Sequence, residues 1–369
     1  MYSRRRINTK RQIEFDLLKA CAVVFMILIH VHEEMYHPAE ALPTTIWENL
    51  LGFVGGPLAA PVFMFALGVG IVYSKHNGPK PLFFRGLRIF ILAYVLNFAR
   101  SVLPYLIVCP KAEFDYDTVY YLLFNVDILH FAGITFMVTA LFKKLKLNTN
   151  LIFLIALLMQ VVGIILDANF DQFAETVPGY FLGLIFYTGY GVCFPFLLWY
   201  VYPTLGILFA RFLTHINDPD RFYLKTFIVS SVLLIVFCCT LYFIDFDFRQ
   251  LYTIYEDLYY RQTFLHVIFI ILVILVVSSI AHFLHKWFYF KSVDNIIRIT
   301  SANLNVIYII QWLIIGWLDV AFMIDIHHNA WLILPIGIAI IMESIPLSIL
   351  YNCIAEEIRK RIKARTKKA

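Results

Sequence analysis

Apolar runs of about twenty residues recur along this chain with only short polar links between them, and that recurrence constrains its fold more than any other feature. A helix rising about 1.5 Å per residue needs roughly 20 apolar residues to cross a hydrocarbon core. Ten such runs fit the 369 residues, at about 15 to 35, 50 to 74, 86 to 108, 119 to 142, 149 to 167, 193 to 213, 223 to 244, 263 to 285, 302 to 324 and 330 to 354. With 61% of residues apolar and 15% charged, the chain reads as an all-α integral membrane protein, a bundle of about ten transmembrane helices. Residues 15–354 are expected to form a single transmembrane domain, between a basic N-terminus (1–14) and a basic tail (355–369).

Charge placement tests that reading independently. Lys and Arg gather at the N-terminus, around Lys75, Lys80 and Arg85, in KKLK at 143–146, around Arg211, Arg221 and Lys225, around Lys286, Lys291 and Arg298, and in the tail. The intervening links carry mainly acids: Glu40 and Glu48; Glu113, Asp115 and Asp117; Asp167, Asp171 and Glu175; Asp245, Asp247, Glu256 and Asp257; and Asp325. The basic links are therefore cytoplasmic, and both termini with them, in a multi-pass protein of the cell membrane. The net charge of +5 is spread over alternate links and forms no nucleic-acid-binding stripe. No small-residue cleavage site follows the first run, so it is expected to remain as a span. Six cysteines without CxxC spacing suggest neither a disulfide framework nor a zinc site. One piece, VPGYFLGLIFYTGYGV at 177–192, is short and Gly-rich, and an eleventh span there would break the charge alternation; it reads as a re-entrant or wall segment facing a cavity.

Ionisable groups inside the spans carry the functional signal, because each costs free energy in hydrocarbon. In DLLKACAVVFMILIH, Lys19 and His30 are eleven residues apart, ~16 Å along a helix and only ~20° apart around it. Asp16 falls within ~60° of the same direction, so the three form one polar stripe from the inner edge to the outer half. An interfacial Asp16–Lys19 pair and a hydrogen-bonded structural histidine would account for them equally well. His130 in DILHFAG is a second interior imidazole, with Asp127 three residues before it on the same face; the pair reads either as a bridge between helices or as a working site. Arg100, Asp319 and Glu343 are further interior charges, most economically paired with one another, Arg100 against one of the two acids. Arg85 and Arg88 in RGLR lie three apart at the start of the third span, as a phosphate clamp or as ordinary positive-inside charge. No GxGxxG, Walker or GxSxG pattern stands in a suitable context.

The segment EFDLLKACAVVFMILIH resembles the first core span of the transmembrane acyltransferases, with Asp16, Lys19 and His30 in the places of an acid, a basic residue and a histidine. APVFMFALGVGIVYS from Ala60, FFRGLRIFILAYVLNF from Phe83, DILHFAGITFMVTALF from Asp127, FPFLLWYVYPTLGILFARF from Phe194 and ITSANLNVIYIIQWLIIGW from Ile299 resemble the heparan-alpha-glucosaminide N-acetyltransferase catalytic branch in its bacterial form. Three places depart from the pattern. Lys19 stands where arginine is usual, Gln311 where histidine is common, which removes a candidate proton carrier, and WYVYP is looser than the usual Pro-Trp element.

The resemblance implies transfer of an acyl group, usually acetyl, from cytoplasmic acetyl-CoA or another acyl-CoA to a hydroxyl or amino group of a sugar or glycan on the other side. Acyl-CoA is then a co-substrate, with no permanently bound cofactor and no metal. Lys19, Arg85 and Arg88 would hold the coenzyme, His30 would act as base or acyl carrier, and His130 with Asp127 would orient groups or move a second proton. Membrane lipids, the acyl donor and the sugar acceptor are the partners expected; a homodimer is left open, and no nucleic acid is involved. A secondary transporter or glycolipid translocase using the interior charges is the alternative.

Overall fold

The structure, a computed structural model, describes residues 2–36, 45–110, 113–170, 176–189, 191–253, 259–324, 326 and 329–366. Its helices are α1 (Ile13–Met35), α2 (Ile46–Gly55), α3 (Ala60–Tyr73), α4 (Pro79–Asn97), α5 (Leu103–Val108), α6 (Tyr116–Phe124), α7 (Ile128–Lys144), α8 (Thr149–Asp167), α9 (Val177–Gly183), α10 (Phe196–Trp199), α11 (Val201–Leu213), α12 (Pro219–Phe243), α13 (Phe264–Trp287), α14 (Lys291–Ala302), α15 (Leu304–Gly316) and α16 (Ile333–Thr366). Among the described residues, β pairing is confined to three isolated bridges. Of the acids assigned to outer links, Glu40, Asp171, Glu175, Glu256, Asp257 and Asp325 lie outside the described residues.

Among the described residues, eight stretches are helical, long and apolar enough to cross a membrane: Ile46–Tyr73, Pro79–Val108, Thr149–Asp167, Phe196–Leu213, Pro219–Phe243, Phe264–Trp287, Leu304–Ala321 and Ala330–Ile362. They match eight of the ten expected runs. The run 15–35 is α1, which touches α2, α3, α13, α14, α15 and α16. Its Phe15, Leu18 and Ala22 join a core around Trp199, Tyr200 and Tyr202. One turn further on, Val23, Ile27 and Val31 join a second core with Ile307, Ile315 and Ile333. A helix buried on all sides is apolar on all sides, so the polar stripe of α1 must face something other than lipid.

The run 119–142 is corrected: it is two helices, α6 and α7, with a break at 125–127. Asp127 starts α7 as its N-cap, its Oδ1 accepting the Ile128 N–H at 2.6 Å. The open carbonyls before the break accept from a buried side chain, Asn97 Nδ2 donating to Leu123 O at 3.0 Å and Asn125 O at 2.8 Å. Non-helical backbone survives in such a place because protein satisfies it.

Residues 177–189 and 191–192 hold α9 and an irregular return in which Val192 pairs with Val126. The basic link around Lys291 and Arg298 is the amphipathic helix α14, with Asp294, Ile297, Thr300 and Ser301 on its buried face. The expected tail is helical as far as Thr366, continuous with the last span.

Close packing of α4 on α7 sets up the site. A Cβ on Gly86 would stand 2.6 Å from Gly133 O, and one on Gly133 would stand 2.8 Å from Phe90 Cβ, so glycine alone permits the approach.

Candidate active site

Polar residues of α1 line two cavities that lie back to back. The first, of about 250 Å³, opens near the Ile13 end and is lined by Lys19, Arg85, Ser301 and Asn305 among apolar side chains. The second, of about 390 Å³, lies toward the Met35 end and is lined by His30, Glu33, Glu34, Arg100, Asp127 and Trp312, with several tyrosines. Met26, Phe63, Ile128 and Tyr308 line both and form the wall between them.

In the first cavity the cations are held by their surroundings. Lys19 Nζ lies 2.9 Å from Asp16 Oδ1. Asp16 also pairs with Arg11 and accepts the Ser301 hydroxyl at 2.6 Å, so it remains partnered if Lys19 turns toward a ligand. The Arg85 guanidinium lies 4.4 Å from the centre of the Phe136 ring, a stacked cation with donors left over for an anion. Arg88 is exposed and lines neither cavity.

His30 lines the second cavity. Its Nδ1 is 3.1 Å from Gln311 Oε1. An amide oxygen can only accept, so Nδ1 carries the proton and Nε2 keeps its lone pair. The imidazole also lies 4.1 Å, centroid to centroid, from the Trp312 ring. The other side of the site is built on the same indole, for the Arg100 guanidinium stands 3.9 Å from the Trp312 ring centre.

Arg100 owes its place to a π turn at Phe98–Val102 that interrupts the span between α4 and α5. A matching π turn at Trp317–Ala321 ends α15, and the two are joined by Trp317 Nε1 donating to Ala99 O at 3.1 Å. Gly316 permits that contact, since a Cβ there would lie 2.3 Å from Arg100 O. Such single π turns in long helices are frequent at functional sites.

The economical reading sets Arg100 against Asp319 or Glu343; the ion pair it makes is with Asp127, while Glu343 stands exposed on α16. Arg100 Nη1 donates to Asp127 Oδ2 at 3.3 Å, with the two side chains 6% and 12% exposed. Tyr308 donates its hydroxyl to the same carboxylate oxygen. Asp127 is thus the acceptor on which the break before α7, the π turn and α15 converge.

His130 lies elsewhere. It is wholly buried and lines neither cavity. Its Nδ1 accepts the Asp127 backbone N–H at 3.2 Å, and its ring meets Tyr94 edge-on at 4.5 Å. The three-residue spacing from Asp127 does bring the two together, through the backbone nitrogen of Asp127, while the carboxylate turns to Arg100 and Tyr308.

Sequence reading missed Tyr308, Trp312, Glu33, Glu34 and Ser301 as cavity residues, and took Gln311 for a loss. The mark some of them left was position: Ser301, Tyr308 and Trp312 stand seven and four residues apart, with Gln311 three after Tyr308, spacings that fall on one side of a helix.

A family model described as heparan-alpha-glucosaminide N-acetyltransferase, catalytic, matches residues 11–238, which include Lys19, His30, Arg85, Arg100 and Asp127 but not α14 to α16. No curated protein and no solved structure matches.

Proposed function

The chain belongs to the heparan-alpha-glucosaminide N-acetyltransferase catalytic family, and from that premise we propose that it moves an acetyl group from cytoplasmic acetyl-CoA to a sugar on the outer side of the cell membrane. One observation carries the reading: two cavities share a wall, one with cations at its edge and the other with a histidine whose Nε2 is available. The Ile13 end of α1 is the cytoplasmic end in this reading, since it carries the Arg-rich N-terminus, and all ten runs count as spans.

Lys19 and Arg85 bind the phosphates of the coenzyme, with Arg85 supplying planar geometry and Lys19 a point charge. The pantetheine arm runs toward Met26 and Phe63 and brings the thioester to the shared wall. On the far side, His30 Nε2 takes the proton from the acceptor hydroxyl or amine as its oxygen or nitrogen attacks the thioester carbonyl. The carbon–sulfur bond then breaks, and the proton passes from His30 to the departing thiolate. Arg100, fixed over Trp312 and against Asp127, stabilises the negative oxygen that forms in between. His130 works at one remove, as a positioning residue that holds the Asp127 turn.

The outer cavity also selects its acceptor. Glu33, Glu34 and Asp127 line it against the guanidinium of Arg100, which Asp127 already engages, so neutral sugars and amino sugars are favoured over anionic ones.

Purified protein in proteoliposomes, given labelled acetyl-CoA and a panel of neutral and amino monosaccharides on the opposite side, tests the assignment. Labelled acetyl-sugar is expected, and His30→Ala should abolish it while leaving acetyl-CoA binding nearly intact. Absence of acetyl-CoA binding together with sugar uptake by the vesicles would overturn the reading in favour of a transporter.

A further inference from the structure

Glu34 lines the outer cavity beside His30 and has no part in moving the acyl group. It stands four residues after His30 on α1, about 6 Å further along the axis and ~40° around it. The other two carboxylates of that cavity are engaged: Glu33 accepts the Tyr260 hydroxyl at 2.6 Å, and Asp127 holds Arg100 and Tyr308. Glu34 is half-buried and makes no hydrogen bond or ion pair among the described residues. On α1 its ionisable neighbours are His30, His32 and Glu33; Arg100, Asp127 and Asp319 stand within electrostatic reach of it on other elements. The cavity is also short of partners for its own wall. Arg100, Tyr259 and Trp312 line it, and each carries a buried donor, Nε, the hydroxyl and Nε1, with no partner among the described residues. Buried donors left open around a cavity mark a place that a polar ligand completes.

The proton count of the reaction gives a free carboxylate something to do. A hydroxyl acceptor has one proton to lose: the O–H bond breaks as oxygen attacks the thioester, His30 takes that proton, and the departing thiolate receives it. None is left over. An amine arrives near neutral pH as an ammonium, whose nitrogen has no lone pair until one proton has gone. A second N–H bond breaks as the nitrogen attacks, and that proton follows the path through His30 to sulfur. The first proton needs another acceptor, because Nδ1 of His30 already carries one and Nε2 alone is open.

We propose that Glu34 receives the ammonium group of an amino-sugar acceptor, takes its first proton and passes it to solvent at the Met35 end of the cavity. An N–H bond breaks as a carboxyl O–H bond forms; the O–H then gives its proton to water, and the carboxylate is restored. The half-buried position suits both halves of the step, since the group meets the cavity and solvent alike. A hydroxyl acceptor makes no use of Glu34. The proposal rests on acetyl transfer as the reaction of this cavity.

The full chain in proteoliposomes, with acetyl-CoA on one side and an amino sugar or its neutral hydroxyl counterpart on the other, is assayed from pH ~6 to pH ~9. An amine that titrates like an α-amino group, near pH ~8, is only about 1 to 2% free base at pH ~6. Glu34→Gln, confined to that free amine, should run about fiftyfold below wild type in kcat/KM at pH ~6 and within about twofold of it at pH ~9. Glu34→Ala should follow the same course. With the neutral sugar both variants should stay within about twofold of wild type at every pH, which also shows them folded; where the amine is the sole acceptor, a melting curve serves as that control. Equal losses with both sugars, a loss with the amine that does not shrink as pH rises, an amine activity unchanged at pH ~6, or a wild type that acetylates the neutral sugar alone would each overturn the proposal and leave acetyl transfer standing. A wild type that acetylates neither sugar would overturn both.

Discussion

Gln311 offers the sharpest test of the proposed chemistry, because it stands where a histidine is common and is buried against His30. Its Oε1 accepts from His30 Nδ1 at 3.1 Å, and the side chain is 0% exposed, so water cannot take its place. Gln311→Leu keeps nearly the same volume and leaves the Nδ1 proton without an acceptor. A buried hydrogen bond of this kind contributes about 1 to 1.5 kcal/mol net, and about 1.4 kcal/mol is tenfold in rate. If the bond holds the imidazole in the tautomer that reacts, kcat should fall about tenfold, while KM for acetyl-CoA, set some 16 Å away around Lys19, should change less than about twofold. Gln311→Glu keeps an acceptor and should hold kcat within about threefold of wild type. Initial rates of thiol release in proteoliposomes give both constants, and a melting curve in detergent confirms that each variant is folded. Equal losses in the Leu and Glu variants would refute the reasoning, because loss would then follow packing and not the hydrogen bond.

Three further outcomes follow from the geometry. Lys19→Ala and Arg85→Ala should each weaken acetyl-CoA binding about tenfold, as loss of a charge-assisted contact implies, whereas Arg88→Ala should leave it unchanged; calorimetry decides, and an Arg88 effect as large as that of Arg85 would remove the cavity as the coenzyme site. Asp127→Leu strands the Arg100 guanidinium among buried groups and should cost about 3 kcal/mol or more, seen as a lowered Tm; Arg100→Met in the same chain should recover part of that loss, and strictly additive losses would deny the pair. Gly133→Val brings a Cβ to 2.8 Å from Phe90 Cβ and 3.0 Å from Gly86 O, so α4 and α7 must part at a cost of about 1 to 3 kcal/mol, and an unchanged Tm would contradict the packing described.

What could be read from the chain alone follows the range over which each signal acts. Apolar runs are local, and they found eight helices long and apolar enough to cross a membrane, because hydrocarbon imposes one length. The break before α7 escaped notice because Asn125, Val126 and Asp127 include neither proline nor glycine, and because the group that satisfies the open carbonyls, Asn97, comes from another helix. α14 was hidden by its own charges: Lys291, Asp294 and Arg298 look like a link until its buried Ile297 and Ser301 are seen against α1.

The same limit explains why pairings went astray. Arg100 had several acids available by sequence, and only the π turns, joined through Ala99 and Trp317, decide that Asp127 receives it. Gln311 is the plainest example. Taken alone, an amide in place of an imidazole removes a group that can carry a proton. Set 281 residues along from His30 and within 3.1 Å of it, the same amide becomes the acceptor that decides which nitrogen of His30 is left to act. A departure from a family pattern thus has no functional sign until its neighbour is known, and here the neighbour turns an apparent loss into a means of orienting the His30 ring.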